Sequence, residues 1–164
     1  EKYRSKKFLS FSSKIQIFKK YNNFIMFDKN SWLNIKDIKL INQKEKEILK
    51  ILKLFLGCKY KWGGKVFNGI DCSALVQIFY QFNNKYFPRD TKDQIKYSKI
   101  NLKRKNFKKG DLIFWKGHVA ICLNSTKLIH AYGPKKKVII MPIKRTIYQI
   151  EKTVNLKVKK ISRI

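Results

Sequence analysis

The stretch Asp71-Cys72-Ser73-Ala74-Leu75-Val76-Gln77-Ile78-Phe79-Tyr80-Gln81-Phe82-Asn83-Asn84 decides how the chain reads. Leu75, Ile78, Phe79 and Phe82 recur at i, i+3, i+4 and i+7, which is the apolar stripe of an amphipathic helix. The helix starts close to Cys72. A thiol there meets free backbone N–H groups and the positive end of the helix dipole, which favour thiolate over thiol. A nucleophilic cysteine needs a base beside it, and the chain offers two histidines, His118 and His130.

Downstream of this helix, Pro88-Arg89-Asp90 predicts a short third helix capped by Asp90 or Thr91. From Lys109 onward the pattern turns to strands: Asp111–Lys116, Val119–Leu123, Lys127–Tyr132, Lys137–Ile143 and a last one around Val158–Ile161. A turn at Asn124-Ser125-Thr126 sets a hairpin register that pairs Ala120 with His130 and His118 with Tyr132. Both histidines then share one face, close enough to meet across Ala120, while Val119, Ile121 and Leu123 point the other way into apolar surroundings. One imidazole fixing the tautomer of another is what a cysteine–histidine pair requires. The bare pattern also fits two surface histidines, so at this point both readings stand.

Upstream, Asn42 to Leu56 carries Ile48, Leu52 and Phe55 at helical spacing and ends at Gly57, predicting a first helix. Before it, Lys14–Phe18, Phe24–Phe27 and Trp32–Ile35 read as short strands between Asn- and Lys-rich turns. The division falls near residue 42, giving a β module over 1–41 and a main domain over 42–164. Helices followed by an antiparallel sheet make the main domain α+β.

The 164 residues include 39 Lys and Arg against 10 Asp and Glu, a formal charge of +29. Such an excess suits an anionic partner, but the basic residues are scattered among Ile and Asn, as biased surface composition would scatter them. Nucleic acid is therefore not expected as a partner. Cys58, Cys72 and Cys122 contain no Cys-x-x-Cys pair, so neither a disulfide framework nor a zinc site is indicated. The register also argues against a His118–Cys122–His130 metal site, since it places Cys122 opposite Leu128. No cofactor is expected. The chain begins at Glu1 with no signal-peptide pattern, and no run has the length of a membrane span.

The blocks Tyr60-Lys61-Trp62-Gly63-Gly64, Asn68-Gly69-Ile70-Asp71-Cys72-Ser73, Pro88-Arg89-Asp90, Gly110-Asp111-Leu112-Ile113-Phe114-Trp115-Lys116-Gly117-His118-Val119 and Leu128-Ile129-His130-Ala131 together resemble the NlpC family signature of papain-like murein peptidases. The resemblance implies a papain-like fold with Cys72 as nucleophile, His118 as base and His130 as the residue orienting the base. It implies that Tyr60 lies near the nucleophile and assists the oxyanion. Asp71 and Ser73 match positions that hold the N-terminal L-alanine of the substrate. One departure is Ala74, where the family usually has Gly. Residues 1–41 are similar to the end of an SH3-like module. The layout is similar to the dipeptidyl-peptidase VI or γ-D-glutamyl-L-diamino-acid endopeptidase subgroup. That likeness implies cleavage of the γ-D-glutamyl to diamino-acid bond in murein stem peptides, by a bacterial, monomeric enzyme located in the cytoplasm rather than the periplasm or outside. A murein amidase or acyltransferase on the same scaffold, or a non-catalytic basic module, is the alternative.

Overall fold

The computed structural model describes residues 8–98, 100–102 and 106–163, so the first seven residues of the expected 1–41 module and the last residue of the main domain lie outside it. Three short strands come first, β1 (Lys19–Tyr21), β2 (Phe24–Asp28) and β3 (Ser31–Asn34), paired antiparallel in the order β1-β2-β3. Lys14–Phe18, expected as a strand, is not one: the ladder starts at Lys19, and only the Phe18 amide reaches across, to the Met26 carbonyl.

The helix expected over 42–56 contracts to α1 (Ile48–Leu52) with a 3-10 turn at Lys53–Phe55. Glu47, which precedes the helix, makes no side-chain cap bond. The approach to it is pinned elsewhere, because the Asn83 side-chain oxygen accepts the Glu45 amide at 2.8 Å. A two-stranded hairpin, β4 (Lys65–Val66) with β5 (Gly69–Ile70), leads into α2 (Cys72–Phe82), and α3 (Thr91–Tyr97) follows.

The main sheet contains β6 (Leu112–Trp115), β7 (His118–Cys122), β8 (Lys127–Tyr132), β9 (Lys137–Pro142) and β10 (Lys160–Ser162), all antiparallel, in the order β10-β6-β7-β8-β9. Alternation along the strands gives it two buried faces. Leu112, Phe114, Val119, Ile121, Ile129, Ala131 and Val138 pack with α1 and α2. Ile113, Trp115, Ala120, Cys122, Leu128, Tyr132 and Met141 pack with Ile143 and Ile150 of α4 (Ile143–Val154). That last helix was not anticipated by the reading of this region as strands alone. It covers what would otherwise be an open apolar face, and it carries Ile143, Ile147 and Ile150 at i, i+4 and i+7.

Candidate active site

The Asn124 carboxamide oxygen accepts the Thr126 and Lys127 amides at 2.9 and 2.8 Å, closing the β7–β8 turn and locking the register. Ile121 then pairs with Ile129 and Cys122 with Leu128. The β7–β8 ladder consists of these two pairs and stops short of the expected Ala120–His130 and His118–Tyr132 pairs. The two histidines meet, with His118 Nε2 2.9 Å from His130 Nδ1. His130 is 1% exposed, stacks on Tyr132 with ring centroids 4.6 Å apart, and points its Nε2 at Met141 Sδ, 3.4 Å away. Trp115 lies against His118, with centroids 5.4 Å apart.

Cys72 is the first residue of α2 and belongs to the core on the α2 face of the sheet. It meets β7 at that strand's beginning, where its Sγ lies 3.9 Å from the carbonyl oxygen of Gly117, the residue before His118. Gly117 occupies the β6–β7 turn at φ +74°, a left-handed conformation that glycine adopts without strain. Cys72 and Gly117 line a cleft of about 330 Å³ together with Tyr60, Trp62, Asp71, Ser73, Arg89, Asp90, Thr91 and Lys92. The Trp62 side chain stands at this cleft with the residue 79% exposed.

The expected preference for thiolate is not what the site produces at rest. Burial pushes the Cys72 thiol above its ordinary value and the Asp71 charge adds to this; the Val119 amide, the Thr91 hydroxyl and the Ser73 amide act the other way without overcoming it. Burial also drives His118 down to about 4 and, reinforced by the neighbouring His118, His130 down to about 2. Near neutrality the resting groups are thus a thiol and two neutral imidazoles. The Tyr60 phenol is raised by burial first and by Cys72 and Asp71 next, so it stays protonated and able to donate.

Asp71 is the N-cap of α2. Its Oδ1 accepts the Ala74 amide at 2.8 Å and its Oδ2 the Gly63 amide at 3.0 Å. Arg89 clamps the same carboxylate through both terminal nitrogens, at 3.0 and 2.6 Å, and donates to Ser73 Oγ at 2.8 Å. Ser73 in turn donates to Asp71 Oδ1 at 3.1 Å. Gly64 has to be glycine for this loop to close, since a Cβ there would come within 2.3 Å of the Gly69 carbonyl oxygen. The Asp71–Ser73–Arg89 cluster therefore forms one wall of the cleft and anchors the start of α2. Sequence reading placed Pro88-Arg89-Asp90 in a motif without giving Arg89 a part. Nothing in the sequence singles Arg89 out among 39 basic residues, since its partner Asp71 lies 18 positions away. Ala74 is buried and tolerated in the first turn of α2.

Among the described residues, no group of three or more His, Cys, Asp or Glu side chains is arranged to hold a metal ion, and no helix is long and apolar enough to cross a membrane.

Against known proteins, residues 57–157 match the NlpC/P60 family. Dipeptidyl-peptidase 6 of Lysinibacillus sphaericus is 38% identical over 79 residues, covering 47% of this chain and 28% of that protein. The gamma-D-glutamyl-L-lysine dipeptidyl-peptidase of Bacillus cereus is 30% identical over 105 residues, covering 59% and 31%. The alignments thus take in less than a third of either relative's length. A crystal structure of an NlpC/P60 family protein from Bacillus cereus superposes with a TM-score of 0.78 at 24% identity, covering 94% of this chain and 55% of that one. The stretch matched to the family runs from the turn before Tyr60 through Cys72, His118 and His130 to just past α4, and so spans the cleft and both histidines: the chain belongs to the NlpC/P60 family.

Proposed function

We propose that the chain is a cysteine peptidase that cleaves the γ-D-glutamyl to diamino-acid bond of murein stem peptides, with Cys72 as nucleophile, His118 as base and His130 as orienter. The observation that carries this reading is the 2.9 Å pair between His118, at the start of β7, and His130 of β8, joined to the Cys72 thiol through Gly117, the residue before His118, whose carbonyl oxygen lies 3.9 Å from Sγ at the cleft that Cys72 lines. The choice of bond rests on the relative named gamma-D-glutamyl-L-lysine dipeptidyl-peptidase.

In the proposed reaction the Cys72 S–H proton passes to His118 as sulfur attacks the carbonyl carbon. The tetrahedral oxyanion is held by the Cys72 backbone N–H and the protonated Tyr60 hydroxyl. The C–N bond then breaks, the amine leaves with the proton from His118, and water activated by His118 releases the acyl group from sulfur. Asp71 and Ser73 contribute to the wall that receives the amino end of the peptide. They do so from fixed positions, because Arg89 and the loop amides already hold them.

The enzyme is proposed to act as a monomer on released peptides inside a bacterial cell, with residues 1–41 as a partial SH3-like module ahead of the peptidase domain. Mass spectrometry of products from defined γ-D-glutamyl tripeptides and from intact sacculi tests the reading. Cleavage of the tripeptide between D-glutamate and the diamino acid, lost in Cys72→Ala, is the expected result. Cleavage of sacculi alone moves the enzyme to wall remodelling, and release of L-alanine-linked products identifies an amidase. No turnover of either substrate removes the peptidase assignment.

A further inference from the structure

The deepest part of the histidine pair ends on an atom without a proton. His130 Nε2 faces Met141 Sδ at 3.4 Å, and a thioether sulfur has lone pairs to accept a hydrogen bond but nothing to donate. The proton of neutral His130 therefore sits on Nε2, which leaves Nδ1 as a bare acceptor. That acceptor lies 2.9 Å from His118 Nε2, so His118 must carry its own proton on Nε2 to make the bond. Its Nδ1 is then the free lone pair. Reversing either ring would set two lone pairs or two N–H groups against each other in a site where His130 is 1% and Met141 8% exposed.

Sheet register puts the sulfur in place. Ile139 lies opposite His130 in the β8–β9 ladder, and Met141, two residues on, is its diagonal neighbour on the same face. Stacking of Tyr132 on His130, with 13° between the ring planes, fixes the plane in which both nitrogens point.

We propose that Met141 is a positioning residue: its sulfur selects the Nε2–H tautomer of His130 and, through it, leaves Nδ1 of His118 as the proton acceptor of the reaction. This rests on the reading of His118 as base, and it assigns a part to a residue that otherwise counts only as apolar filling between β9 and α4. The two roles are separable because Leu fills nearly the same volume and accepts no hydrogen bond.

The test uses the full chain labelled with ¹⁵N-histidine. Imidazole nitrogen shifts are recorded near neutral pH for wild type, Met141→Leu and Met141→Gln, alongside kcat and KM on a γ-D-glutamyl tripeptide. Wild type should show His130 as the Nε2–H tautomer. Met141→Leu should show a mixture and lower kcat by about 3- to 10-fold, the rate equivalent of losing one hydrogen bond, with KM little changed. Met141→Gln, whose carboxamide oxygen accepts from Nε2–H, should restore the tautomer and most of kcat. The proposal is overturned if Met141→Leu keeps the Nε2–H tautomer, or if its kcat stays within about twofold of wild type, since that is below what a lost hydrogen bond costs. It is also overturned if Leu and Gln reduce kcat equally, which is the mark of packing alone. Failure of the underlying reading has a different signature, activity surviving in His118→Ala, and the nitrogen shifts decide the tautomer in either event.

Discussion

Arg89→Met should destabilise the protein far more than the length of the broken ion pair suggests. The Arg89–Asp71 and Lys109–Glu47 contacts are both 2.6 Å, but their surroundings differ. Lys109 and Glu47 side chains are 47% and 50% exposed, so breaking their pair should cost at most about 1 kcal/mol. Asp71 and Arg89 side chains are 9% and 22% exposed, and removing one partner of such a pair leaves a desolvated charge, typically a loss of about 3–5 kcal/mol. The Asp71 carboxylate would retain the Gly63 and Ala74 amides and the Ser73 hydroxyl, and Arg89 is not fully buried, which together reduce the expected loss to about 2–4 kcal/mol. For a chain of this size that lowers Tm by roughly 5–15 °C. Urea unfolding at neutral pH, with m-values compared to confirm an unchanged two-state transition, measures it. Asp71→Ser placed on Arg89→Met removes the stranded charge, keeps a hydroxyl that can cap the Ala74 amide and sets no donor against the Gly63 amide, so the double variant should recover part of the loss. A loss below about 0.5 kcal/mol for Arg89→Met, or no recovery in the double variant, would refute the reasoning that burial rather than contact length sets the energy.

Three further outcomes follow from the same geometry. Cys72→Ala, His118→Ala and their double variant should lose tripeptide turnover to a similar residual level, whereas His130→Gln should retain measurable activity because it can still accept a hydrogen bond from His118; additive losses in the double variant would separate the two residues. Both histidines are held below their unfolded value of about 6.5, so the unfolded chain binds the extra protons and stability falls as pH drops from about 6.5 towards 5, by about 1.4 kcal/mol per pH unit for each ring; His130→Gln should flatten that slope, and an unchanged urea midpoint across this window would contradict the burial of the pair. Cys122, fully buried and with its thiol pushed up to about 12, should resist iodoacetamide until the protein unfolds; peptide mapping that finds Cys122 alkylated in the native state sinks this.

The histidine geometry was legible because it depends on local information. Asn124 sets the turn, the turn sets the register, and the register sets which side chains share a face. Helix α4 was equally local, yet the β-branched Val138, Ile139 and Ile140 carry the strand reading of Lys137–Ile143 past Pro142, where the strand stops and the helix starts. The first helix was overextended for the opposite reason. Its amino end is held by Asn83, 38 residues away, and propensity carries no record of such a contact. Arg89 and Met141 belong to the same class. Each matters because of what faces it across the fold, Asp71 from 18 positions earlier and His130 from the neighbouring strand.

The departure at Cys72 has a consequence for the proposed chemistry. A helix N-terminus favours a thiolate by at most about 2 kcal/mol. Here the thiol is 5% exposed and the acid nearest to it is Asp71, so desolvation and repulsion outweigh the amides directed at sulfur. His118 is held neutral by the same burial, and a resting thiolate–imidazolium pair would require both groups to charge against it. Proton transfer then belongs to the attack itself, when the negative charge moves from sulfur to a carbonyl oxygen that the Cys72 amide and Tyr60 can receive. On this account the wall built by Asp71, Ser73 and Arg89 fixes the substrate carbonyl relative to sulfur, and the histidine tautomers matter more than their charge. A base that must take its proton within one step has to present a lone pair beforehand, which is the condition the proposed tautomers of the His118–His130–Met141 chain would meet.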